Sequence, residues 1–189
     1  MPRPNLREQI LSAGLDTLHR RGFNATSVQD ITEAAGVPKG SFYNHFESKE
    51  ALGAELVLKY AAERGELLSV LGNATVAPLS RLRRYFDELC ARAELSSGCL
   101  FANFGLELSH QSPLIRERVA AAFARWSDTV AVVIREAQDA GAISKESSPE
   151  ALAAFLIHAY EGALLRAKVD NSRAPLDHFL STAFTKVLT

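Results

Sequence analysis

With 189 residues, 47% of them apolar, the chain is long enough to bury a core, as one large domain or as a small domain beside a larger one. A formal net charge of −1 excludes a globally basic nucleic-acid binder, so any surface for a polyanion must be local. No apolar run reaches membrane length, no signal-peptide pattern opens the chain, and Cys90 and Cys99 lie nine apart with no metal-ligand pairing around them, so the expectation is a soluble cytoplasmic protein with no metal, cofactor or membrane partner.

Alanine and leucine recur at helical spacing while β-branched runs bounded by turns are scarce, which predicts an all-α fold. Residues 1–4, with two prolines and Arg3, read as a loose arm. A first helix is expected from about Asn5, as its cap, to Arg21, burying Ile10, Leu11, Gly14, Leu15 and Leu18 and leaving Arg7, Arg20 and Arg21 to solvent or phosphate. Gly22 stops it, and Phe23 anchors the unit that follows.

From Ala25 to Lys49 two short helices meet across a tight turn. Thr26 and Gln29 have capping-box spacing, Val28, Ile31 and Ala35 form one stripe, Gly36 ends the helix and Pro38 suits the first position of the next. Two helices joined this closely form the pattern of a helix-turn-helix, whose second helix enters the DNA major groove. Phe42 and Phe46, four apart, turn inward and fix the rotation of that helix. Its outer face is then Gly40 and Asn44, edged by Lys39 and Tyr43 and by Ser41 and His45, and no acidic residue occurs from Ala34 through Phe46.

The stretch TSVQDITEAAGVPKGSFYNHFESKEAL resembles the DNA-binding signature of the TetR family of bacterial transcriptional regulators, and the likeness is dense over about residues 6–56. The resemblance implies a three-helix DNA-binding domain over 1–48 and a larger helical ligand-binding and dimerisation domain over 49–189. It places Gln29, Lys39, Gly40 and Tyr43 against base edges or thymine methyls, and Thr26, Ser27, Ser41, His45 and Lys49 against phosphates. Ser48 can cap the long helix that begins at this junction.

That helix carries Leu52, Leu56, Val57 and Tyr60 on to about Leu71, and Gly72 and Asn73 break it. Pro78 opens a fifth helix with Leu82, Phe86, Leu89, Cys90 and Ala93 on one stripe and Arg81, Arg83 and Arg84 off it. Cys99 to about Gln111 makes a short apolar helix, and Ser112 caps a long one opened by Pro113, which turns Val119, Phe123, Trp126, Val130, Val133 and Ile134 inward until Gly141. From Pro149 to about Val169 the pattern is apolar all round, which calls for burial on both sides, by the chain's own core and by a second subunit. Ala154, Ala159, Gly162 and Ala163 allow close helix approach there, and Leu180 and Phe184 of the last helix, opened near Pro175, complete a bundle across a two-fold axis. A homodimer on a palindromic double-stranded operator follows, and the family resemblance implies the same dimer.

By resemblance the second domain encloses a small-molecule effector, whose binding releases DNA and makes the protein a ligand-responsive repressor. Phe86, Phe104, Phe123, Trp126, His158 and Tyr160 are the candidate lining, with Glu161 or Arg166 as polar handles. Cys99 follows Ser97 and Gly98 at an expected helix N-terminus, and the stretch Gly98–Leu108 is similar to one in the electrophile-responsive branch of the family, which makes Cys99 a candidate thiol sensor. The competing class is a thiol-dependent enzyme using Cys99 with His110 or His158. No nucleophile elbow, HExxH or phosphate-binding glycine loop supports it, and no catalytic residue is assigned.

Overall fold

Apolar residues at three- and four-residue spacing fold the start of the chain into helix α1 (Leu6–Arg21), which buries Ile10, Leu11, Gly14, Thr17 and Leu18. The computed structural model describes residues 5–189, so the arm expected over residues 1–4 lies outside the described residues. Asn5 holds the N-cap position, yet its side chain makes no capping bond, contrary to expectation. Helices α2 (Val28–Ala34), α3 (Lys39–Tyr43) and α4 (Lys49–Leu68) follow, then a 3-10 turn (Ser69–Gly72) and helices α5 (Pro78–Ala91), α6 (Leu100–Leu108), α7 (Pro113–Asp139), α8 (Pro149–Asp170) and α9 (Ala174–Thr182), with a π-helical turn (Ala183–Val187) after the last. The described residues contain no strand, and the fold is all-α as the spacing predicts.

The helices form two compact units, and neither ends at residue 48: one comprises the chain up to Ala62 with Cys99–Ala122, the other Glu63–Gly98 with Phe123–Thr189. In the first unit Ile10, Leu18, Ile31, Phe42, Leu52 and Leu56 have no exposed surface. Helix α1 lies close over α4, since a Cβ on Gly14 would sit 3.1 Å from Leu52 Cδ2. Ser48 caps α4 through Ala51 N–H at 3.0 Å, and Ser112 caps α7 through Ile115 N–H at 3.1 Å, both as expected. The Ser112 hydroxyl also donates to the Glu50 carboxylate, which ties the starts of these two helices together.

The second unit is built on α5, the rest of α7, α8 and α9. Leu82, Phe86, Val130, Ile134, Ala153, Leu156, Tyr160 and Leu176 are its interior. The stripe of α5 is wider than its leucines suggest, because Arg81 and Tyr85 are buried as well. Arg81, expected at the surface, donates to the Leu71 carbonyl at 2.6 Å and pairs with Glu136 of α7. A guanidinium is tolerated there because its charge is paired with Glu136 and one of its donors reaches the Leu71 carbonyl of the 3-10 turn.

Candidate nucleic-acid interface

The turn before α2 is held by a capping box, one residue later than the spacing of Thr26 and Gln29 suggests. Asp30 N–H donates to Ser27 Oγ at 3.1 Å, and the Asp30 carboxylate accepts from Ser27 N–H at 2.7 Å and from the Ser27 hydroxyl at 2.5 Å. Those bonds, the hydroxyl's first, hold the Asp30 carboxyl below its usual range, and the Arg21 guanidinium at 3.7 Å adds to the effect. Thr26 is drawn the other way: it is 1% exposed, its hydroxyl donates to the Gly22 carbonyl at 2.8 Å and its N–H to the Phe23 carbonyl at 3.3 Å. Its expected phosphate contact is therefore corrected, since both of its donors are spent inside the fold. Gln29, released from capping, stands exposed on α2 with its Nε2 donating to Glu33 Oε1 at 2.8 Å.

Helix α3 begins at Lys39, with Pro38 as its N-cap rather than its first residue. Phe42 and Phe46 are 0% and 3% exposed with ring centroids 5.5 Å apart, the inward pair that sets the helix's rotation. That rotation leaves Lys39, Gly40, Tyr43 and Asn44 exposed and Ser41 and His45 half-buried. Tyr43 lies edge-on to Phe42 at 5.3 Å, which steers its exposed ring without covering it. Nothing stands within 4 Å of where a Gly40 Cβ would be, so another surface can approach the backbone closely here. Arg7 is not left to phosphate: its guanidinium pairs with Glu55 and lies 5.1 Å over the Phe46 ring.

Beneath this head lies a charge arrangement the sequence did not announce. Glu107 of α6 accepts from Phe23 N–H at 3.1 Å and Asn24 N–H at 2.8 Å, clamping the backbone that leads into α2. Gly22, at φ +87°, makes room for it, since a Cβ would meet Glu107 Oε1 at 2.7 Å. Lys49 Nζ donates to the carbonyls of Phe23 at 2.8 Å and Thr26 at 2.7 Å and sits 4.3 Å over the Phe23 ring. Burial lowers the Lys49 pKa, against the opposing charges of Glu107 and Asp30. Two of the three Lys49 donors are thereby held in a structural tie, which leaves at most one N–H for the expected phosphate contact. Glu107 carried one signal in the sequence, as the lone acid in LFANFGLEL.

In the second unit Phe86, Trp126 and Tyr160 converge with Phe179: Phe86 to Phe179 is 5.6 Å, Trp126 to Tyr160 5.9 Å and Tyr160 to Phe179 5.9 Å between centroids, and half-buried Phe123 stacks on Trp126 at 6.2 Å. Tyr85 joins them, its phenol pushed up by burial against the favourable charge of Arg64, while the charge of half-buried Glu161 adds to the rise. Three expected lining residues fall elsewhere. Phe104 packs edge-on against Phe23 at 5.7 Å in the first unit, and His158 and Arg166 are exposed on α8, Arg166 being paired with Asp170 at 2.7 Å.

For His158 and Arg166 the reason is the phase of α8. Phe155, Gly162 and Val169 recur every seven residues, and His158, Leu165 and Arg166 share their side, so the outer stripe is continuous with Phe155, Leu165 and Val169 at 52%, 58% and 72% exposure. Ala154, Ala159 and Ala163 are half-buried and Gly162 is exposed. A groove of about 250 Å³ between α8 and α9 is lined by Phe155, Ala159, Ala163, Pro175 and Phe179. Leu180 is half-buried, and Phe184 leans toward α5, 6.2 Å from Phe86 and under the Arg83 guanidinium at 5.1 Å.

Neither cysteine forms a disulfide. Cys90 is buried and its thiol is pushed up to about 12 by that burial. Cys99 is the N-cap of α6 and 2% exposed. His110 lies beyond the other end of the same nine-residue helix, roughly 14 Å of helical rise away, too far for the two to act as nucleophile and base.

A buried aromatic pair under a polar, acid-free helix, set across a tight turn from a capped helix, makes this a helix-turn-helix DNA-binding protein. The profile of "Bacterial regulatory proteins, tetR family" matches residues 10–56, and that of "Tetracyclin repressor-like, C-terminal domain" matches residues 78–183. The chain belongs to the TetR family and is a DNA-binding transcriptional regulator. It is 39% identical to the transcriptional repressor DhaR of Mycobacterium sp. strain GP1, over 100% of this chain and 95% of DhaR. The crystal structure of regulatory protein TetR from Rhodobacter sphaeroides superimposes with a TM-score of 0.86 at 34% identity, covering 94% of this chain and 96% of that one. The reduced form of E. coli NemR does so with 0.87 at 26% identity, covering 97% and 96%. No helix among the described residues is long and apolar enough to cross a membrane.

Proposed function

We propose that the chain is a cytoplasmic repressor that binds a palindromic operator as a homodimer and leaves it when a small-molecule effector binds the helical regulatory domain, with residues 1–48 as the reading domain and 49–189 as the regulatory one. The observation that carries this reading is the face of α3, where Lys39, Gly40, Tyr43 and Asn44 are exposed above buried Phe42 and Phe46. Lys39, Tyr43 and Gln29 of α2 meet base edges, Gly40 admits the backbone, and Ser41 and His45 hold phosphates, with Ser27 able to join them only by giving up its bonds to Asp30. Repression is supported by the likeness to DhaR, a transcriptional repressor. The convergence of Tyr85, Phe86, Trp126 and Tyr160 supports the second unit as the effector's seat, an apolar wall with phenol and carboxylate groups at hand. The outer stripe of α8 supports the dimer. A binding role, not a catalytic one, fits the separation of Cys99 from His110.

A second reading, release by an electrophile or oxidant at Cys99, is favoured by the place of that thiol at the N-cap of α6, after Gly98 at φ +76°. The primary test is binding of purified protein to DNA upstream of its own gene across a salt series. Saturable, sequence-dependent binding is expected, weakened about tenfold by Tyr43→Ala through loss of one base contact. Equal affinity for unrelated duplex at every salt concentration would refute it.

A further inference from the structure

We infer that Glu33 is a positioning residue for base recognition: it locks the side-chain amide of Gln29 so that α2 offers a donor–acceptor fork matched to adenine. Gln29 and Glu33 are one turn apart on the exposed side of α2, with Gln29 Nε2 donating to Glu33 Oε1 at 2.8 Å. An ionised carboxylate only accepts, so the NH2 end of the amide, and not its carbonyl, faces Glu33. Asp30, the other acid of this helix, does not compete, because its carboxylate already accepts from the Ser27 N–H and hydroxyl.

What the lock leaves of Gln29 is one N–H and the carbonyl oxygen. That pair complements adenine in the major groove, where N7 accepts and the N6 amino group donates. A free amide could rotate to give both hydrogens to guanine N7 and O6, and spending one hydrogen on Glu33 removes that option. The acid also stands beside a polyanion, so its charge lowers affinity for every sequence alike. Glu33 therefore trades general affinity for discrimination between two purines.

This inference rests on the proposed base contact of Gln29, and the test separates the two. Full-length protein, with Gln29→Ala, Glu33→Gln and Glu33→Ala variants, is used to select from duplexes randomised within a two-fold site, and the adenine-to-guanine ratio is read at each position. The unaltered protein is expected to prefer adenine at one position per half-site, and Gln29→Ala to reduce that preference about tenfold. Glu33→Gln removes the charge but keeps a carbonyl acceptor, so affinity should rise with the ratio kept. Glu33→Ala removes both, so affinity should rise while the ratio falls about fivefold, the low end for a bidentate contact. An unchanged ratio in Glu33→Ala, or an equal fall in Glu33→Gln, overturns the lock while leaving Gln29 as a reader. Base preferences unmoved by Gln29→Ala overturn the contact itself.

Discussion

Two thiols in one chain show how a residue's surroundings set its chemistry. Cys90 lies on the buried stripe of α5, and with its thiol pushed up to about 12 it holds almost no thiolate near neutral pH. Cys99, equally buried, differs in standing at the N-cap of α6, where the free N–H groups of the first turn favour a negative sulfur. If effector release runs through a thiol, Cys99→Ser should abolish release from DNA by an electrophile, read by fluorescence anisotropy of labelled operator. Cys90→Ser should respond as the unaltered protein does. Release undiminished in Cys99→Ser would assign induction to the aromatic cluster of the second unit. The same residue-scale logic explains Thr26 and Ser27. Thr26 precedes Gln29, and Ser27 precedes Asp30, at the same spacing, so the pattern alone fits either box. Burial of Thr26 and the bond from its hydroxyl to Gly22 hand the capping role to Ser27.

At the scale of elements, α6 supports the reading head from below. Its Glu107 holds the amides of Phe23 and Asn24 while Phe104 packs on the Phe23 ring. Hydrogen bonds to a charged acceptor are worth about 1.5–3 kcal/mol when sheltered, so losing two at this half-buried place should cost about 1–2 kcal/mol of stability. Glu107→Ala should speed hydrogen exchange at the Phe23 and Asn24 amides and weaken operator binding several-fold, with Glu107→Gln in between because it keeps one acceptor. Unchanged exchange at both amides would remove the clamp from the account. Local patterns made much of this head legible: Phe42 and Phe46 are four apart, Gly22 and Gly36 punctuate the helices, and the buried pair dictates which face of α3 is outward. The clamp was not legible, because Glu107 meets a loop 83 and 84 residues earlier and no periodicity links positions so distant. The tie made by Lys49 is hidden for a related reason, since a lysine at a helix start is equally suited to a phosphate or to the carbonyls of the preceding turn.

At the scale of the whole molecule, the proposed two-fold operator needs two heads, and the chain supplies one. The sequence showed that α8 is apolar all round but not how its two sides divide, and the structure resolves the phase: Leu156, Ile157, Tyr160 and Leu164 are buried, while Phe155, Leu165 and Val169 face out around exposed Gly162. That phase also puts His158 and Arg166, expected as pocket residues, on the outer side. A stripe of large apolar side chains with a glycine at its middle suits an antiparallel or crossed copy of itself, because an isologous contact brings the same glycine from both subunits to the axis. Joining two heads makes the second half-site contact intramolecular, which typically raises affinity about 10²–10⁴-fold without any new contact to DNA. Phe155→Asp with Leu165→Asp should therefore yield a folded monomer by analytical ultracentrifugation, with α-helical circular dichroism retained and operator affinity lowered at least about 100-fold. Affinity for a single half-site should remain, because α3 and its buried pair Phe42 and Phe46 are untouched. A doubly substituted protein that still sediments as a dimer would move the interface off α8.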